Sequence, residues 1–68
     1  MANFEIRVTG PASMRDVILT RLPYGLFLTW EAHCWVAVDN ANGNAWTEEF
    51  RSKRKAMHWL RHKFEVCL

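Results

Sequence analysis

The chain has 68 residues, of which 50% are hydrophobic and 24% charged, and its formal net charge is +2. A chain this short buries only about 60% of the surface it exposes when unfolded, so a single domain spanning 1–68 is expected and a second copy is a ready means of completing the core. The balance of apolar and charged residues excludes a disordered tail, and no apolar run follows Met1-Ala2-Asn3, so a cytoplasmic protein without membrane contact is expected.

Phe4, Ile6 and Val8 alternate with Glu5, Arg7 and Thr9, the period of a half-buried strand, and Gly10-Pro11 ends it. Two readings compete from Ser13 to Leu22. Val17-Ile18-Leu19-Thr20 suits a strand by propensity, whereas Met14, Val17, Ile18 and Leu22 recur at helical spacing. Ser13 ahead of Asp16 resembles a cap, and Leu22-Pro23 with Gly25 supplies a stop, which together favour a short helix. Leu26–Trp30 and Cys34–Val38 are rich in aromatic and β-branched residues, and Glu31-Ala32-His33 between them is the length of a tight hairpin. Asp39 to Asn44 is a turn whose Asn42-Gly43 pair tolerates positive φ, and Ala45 to Phe50 returns as the third strand of an antiparallel meander. Ser52 is placed to cap a helix from Lys53 to about Glu65, in which Met57, Leu60, Phe64 and Cys67 form an apolar stripe beside Ala56. The expected fold class is α+β: a small antiparallel three-stranded meander followed by a C-terminal amphipathic helix, with an N-terminal strand and a short helix.

Charge is distributed unevenly. Residues 1–50 carry Arg7, Arg15 and Arg21 against Glu5, Asp16, Glu31, Asp39, Glu48 and Glu49, a net −3. Residues 51–68 carry Arg51, Lys53, Arg54, Lys55, Arg61 and Lys63 against Glu65, a net +5. On a helical projection Arg51, Arg54, Lys55, His58, Arg61 and His62 fall opposite the apolar stripe, and Trp59 and Val66 lie on the flank. A helix of this length, about 20 Å, can follow several phosphates of a nucleic-acid backbone and release their counterions. The candidate nucleic-acid-binding residues are therefore Arg51, Lys53, Arg54, Lys55, His58, Arg61 and His62. The competing reading is a solvated outer face that keeps a small protein soluble.

The run from Leu26 to Phe64, three strands and a helix joined by Glu49-Phe50-Arg51-Ser52-Lys53-Arg54-Lys55-Ala56, resembles the AP2-type arm-binding domains of phage and transposon integrases. More loosely it is similar to double-stranded RNA-binding domains, whose second helix opens with a Ser-Lys-Lys-like segment that touches phosphates; Ser52-Lys53-Arg54-Lys55-Ala56 stands at that place. The integrase resemblance implies at most a free-standing module and the RNA-binding one a phosphate-contacting helix start; small proteins of phages and mobile elements often take such a shape and work by occupying a host protein.

Other constellations carry less chemistry. His58 and His62 stand four apart on the helix, but two imidazoles do not make a metal site, and neither a metal nor another cofactor is expected. His33 and Cys34 are adjacent on a strand and point to opposite faces, so they cannot pair as base and nucleophile; no enzyme is expected. Cys34 and Cys67 read as reduced, inert thiols. Trp46 and Phe50 share a strand face that would meet Leu60 and Phe64, joined by Val36 and Val38. Trp35 would then point to the other side with Ala37 and Phe27, either as core or as an open recognition face. Phe27, Trp35 and Trp59 are thus candidates for a protein-partner face, serving a host protein or a second copy in a homodimer.

Overall fold

Gly10-Pro11 ends one element and starts the next. The computed structural model describes residues 5–62. Strand β1 runs Ile6–Val8 and helix α1 runs Pro11–Thr20. Pro11 opens α1 because its fixed φ is already helical and its missing N–H has no partner to lose in the first turn. Gly10 is the extended residue before it, and its carbonyl accepts the Met14 N–H at 3.0 Å. The expected Ser13–Asp16 cap is therefore corrected, since both residues lie inside the helix. The stop also comes earlier than Leu22-Pro23. Arg21 adopts the left-handed conformation at φ 60°, and its N–H reaches the Val17 carbonyl at 2.7 Å. Its guanidinium donates to the carbonyls of Ile18, Gly43 and Asn44, tying the end of α1 to a distant loop.

Three further strands, β2 (Gly25–Glu31), β3 (Cys34–Asn40) and β4 (Trp46–Phe50), form the expected antiparallel meander. Among the described residues the sheet nevertheless has four strands in the order β1-β2-β3-β4, because β1 pairs with β2 in parallel, Ile6 opposite Leu26 and Val8 opposite Leu28. A helical crossover returns the chain to the same end of the sheet, so the flanking strands run the same way. The β2–β3 turn is Ala32-His33, both at positive φ (54° and 63°), as the right-handed twist of a two-residue hairpin demands. The β3–β4 loop is organised from within by Asn40. Its side-chain N–H donates to the Pro23 carbonyl at 2.9 Å and its Oδ1 accepts the Ala45 N–H at 3.1 Å. Ala45 is buried at φ 49°, so β4 begins at Trp46 and not at Ala45. Helix α2 runs Lys53–His62. The expected roles of Phe4, Lys63, Phe64, Glu65, Val66 and Cys67 lie outside the described residues.

The two helices cover opposite faces. Met14 and Val17 of α1 pack on Phe27, Val38 and Ala45, whereas Ala56 and Leu60 of α2 pack on Leu28 and Ala37. Trp35 and Phe50 are register partners and both belong to the α2 side, together with Ile6, Leu26, Met57 and Trp59. This corrects the expected faces of β3. Trp35 and Ala37 meet α2, Val38 faces α1 with Val36 set beside Thr29, and Phe27 is only 4% exposed beneath α1. Phe27 and Trp35 consequently share no face. Trp46 is on the α2 side, as expected, yet stands 55% exposed because α2 starts beside the other end of β4. No described helix is long and apolar enough to cross a membrane.

Candidate nucleic-acid interface

Ser52 sets the start of α2. Its Oγ accepts the Lys55 N–H at 3.3 Å and its carbonyl accepts the Ala56 N–H at 3.1 Å, which is the expected cap. The next three residues, Lys53, Arg54 and Lys55, form the first turn, and no acidic residue stands among them. Cations there oppose the positive end of the helix dipole. Ala56 and Leu60 press α2 onto the sheet, which leaves Lys53, Arg54, Lys55, His58 and Arg61 exposed along one element, with Arg51 exposed just before it. His62 closes the helix, and its side chain lies outside the described residues.

The cations do not all point the same way. Lys53 leans back over the sheet, its Nζ 5.4 Å from the centre of the Trp35 ring. Among the described residues none of Arg51, Arg54, Lys55 or Arg61 is in an ion pair; Arg15 pairs with Glu31 at 3.2 Å, between α1 and the end of β2 on the sheet face away from α2. A groove of about 1190 Å³ runs along α2, with Phe50, Met57 and Trp59 among its apolar lining and Arg54, Lys55 and Arg61 among its cations. Phe50 and Trp59 stack obliquely at 5.9 Å, so the expected flank position of Trp59 becomes part of the groove.

The local pattern around Trp30 gives that ring no role. Trp30 ends β2 on the α2 side, its ring 5.1 Å from that of Trp35 and tilted by 56°, and it is 49% exposed. Its parity with Leu28 on β2 was the available signal. Elsewhere, His33 is exposed in the hairpin turn, and the partly buried Cys34 thiol donates to the Glu31 carbonyl at 3.3 Å. Asp39 accepts the Ala41 N–H at 3.0 Å and so helps shape the β3–β4 loop. Among the described residues no three His, Cys, Asp or Glu side chains converge as a metal site would require.

Comparisons with protein-family models, with curated proteins and with solved structures found no match. The site is therefore read from its own geometry: a cationic helix start beside a row of partly exposed aromatic rings.

Proposed function

We propose that the protein is a small non-enzymatic module that contacts a nucleic-acid backbone through α2. The observation that carries this reading is the cluster Lys53, Arg54 and Lys55 at the positive end of the helix, with no carboxylate in that turn. Each such cation costs the isolated fold a few tenths of a kcal/mol or more, and a bound phosphate removes the conflict by meeting both the side chains and the dipole. Arg51 and Arg61 extend the positive surface on either side, and His58 lies between them on the helix. The order of three antiparallel strands and a basic helix, which resembles arm-binding modules, supports the same reading.

Titration with duplex and single-stranded oligonucleotides at two or more salt concentrations tests it. Contact with three or four phosphates gives a log–log salt slope of about −3. Reversal of Arg54, Lys55 and Arg61 to Glu abolishes binding while the domain stays folded, because all three side chains are exposed. Absence of binding at low salt, or a flat salt response, would falsify the proposal.

A second reading, a protein partner or homodimer, is favoured by a different surface. Val8 and Leu22 line one groove with both side chains more than half exposed, and Leu19 and Tyr24 are exposed nearby in the chain. Solution mass with the salt titration separates the two.

A further inference from the structure

We infer that the strand accepted beside α2 is unpaired, with a base stacked on Trp30 and the adjoining phosphates on the first turn of the helix; this rests on the backbone-contact reading above. Trp30, Trp35 and Phe50 occupy neighbouring register positions across β2, β3 and β4. At about 4.8 Å per strand they span roughly 10 Å of one sheet face. That row ends at Phe50, immediately ahead of the Arg51-Ser52 link to Lys53, Arg54 and Lys55. A polynucleotide laid along the row thus meets rings first and cations next. Lys53 over Trp35 joins the two features directly.

Trp30 has the free surface that stacking needs. Trp35 meets it at 56°, an oblique contact that leaves about half of the Trp30 side chain in water. A duplex keeps its bases inside the helix and has no use for such a ring, whereas unpaired bases stack on aromatic side chains next to basic grooves regardless of sequence. Exposure alone does not choose the ring. Trp46 is equally exposed on the same face, but it stands at the end of β4 away from the first turn of α2, and the exposed Glu48 lies between it and Phe50. At the Trp30 end the nearest carboxylate in sequence, Glu31, points to the opposite face and is held by Arg15. Charge complementarity therefore places the polyanion at the Trp30 end.

Fluorescence anisotropy with labelled twelve-nucleotide probes tests this: oligo-dT and oligo-U, a duplex of equal length, and an abasic strand that keeps the phosphates and lacks the bases. The wild type binds oligo-dT or oligo-U more tightly than the duplex, and more tightly than the abasic strand by about five- to a hundred-fold, the effect of one stacked base. The two homopolymers identify whether DNA or RNA is preferred. Trp30→Ala loses the same factor on the homopolymers with an unchanged salt slope and binds the abasic strand as the wild type does, and Trp30→Phe restores most of the loss. Equal binding of abasic and base-bearing strands, or indifference to Trp30→Ala, with salt-dependent binding retained, overturns the stacking inference and leaves backbone contact standing. Absence of binding to every probe at low salt overturns both. The abasic comparison uses the wild-type chain, so it decides the question even where Trp30→Ala does not fold.

Discussion

Asn40 is completely buried, and both ends of its amide are occupied, one by the Pro23 carbonyl and the other by the Ala45 N–H. It fastens the β3–β4 loop to the segment ahead of β2 from inside the protein. Asn40→Ala leaves the buried Ala45 N–H and the part-buried Pro23 carbonyl without this partner, so a loss of about 1–3 kcal/mol is expected, read from the urea or thermal midpoint. Thr29 is the opposite case. It is 1% exposed on the α1 side and its Oγ1 has no hydrogen-bond partner among the described residues. Valine has the same shape without the hydroxyl, so Thr29→Val stabilises the fold by about 1 kcal/mol. A lowered melting temperature for that variant contradicts the assignment. Neither role was legible in the sequence, where Asn40 reads as an ordinary turn residue and Thr29 as an ordinary strand residue.

At the scale of the element, α2 carries a conflict between folding and function. Ser52 caps it as its sequence position indicates, yet the turn that follows is wholly basic at the end where acidic residues are favoured. Arg54→Glu is therefore expected to raise stability by about 0.3–1 kcal/mol at low ionic strength, an effect that fades with added salt, while it weakens oligonucleotide binding. Thermal unfolding at two salt concentrations beside the binding titration checks both halves. A variant that loses stability and keeps its affinity contradicts the proposed role of this turn. The hairpin between β2 and β3 shows a different limit of local reading. Its length follows from the polar break between two apolar runs, but Ala32-His33 lacks the Asn-Gly or Asp-Gly signature of a turn with two positive φ angles. The pairing of the strands on either side, Trp30 with Trp35 and Glu31 with Cys34, imposes that conformation.

For the whole molecule, the sheet is a middle layer with a separate apolar cluster on each side. Small clusters of this kind leave little reserve against loss of one large side chain. Trp35 contributes to the α2-side cluster beside Trp30 and Phe50 and beneath the Lys53 ammonium, whereas Trp46 is more than half exposed. Trp35→Ala is expected to cost about 3 kcal/mol and Trp46→Ala less than about 1 kcal/mol. Urea titration of the two variants checks the difference, and the reverse order contradicts the strand faces described above.

The strands of the meander, the capped basic helix and the helical choice for α1 were legible in the sequence because each depends on residues within a few positions of one another. Alternation placed Trp46 and Phe50 on one face of β4, and spacing placed Ala56 and Leu60 on one face of α2. Tertiary structure decided how those faces combine. Residues 41–45 can return the chain with either face of β4 beside a given face of β3, and it is the Asn40-anchored path that brings Trp35 opposite Phe50. Likewise α1 carries the chain across the sheet so that β1 lies parallel to β2, and no local pattern records that direction. The availability of Trp30 belongs to the same class. Its half-exposed ring beside a cationic helix start exists only because the register across three strands sets Trp30, Trp35 and Phe50 side by side, and register is a property of long-range pairing.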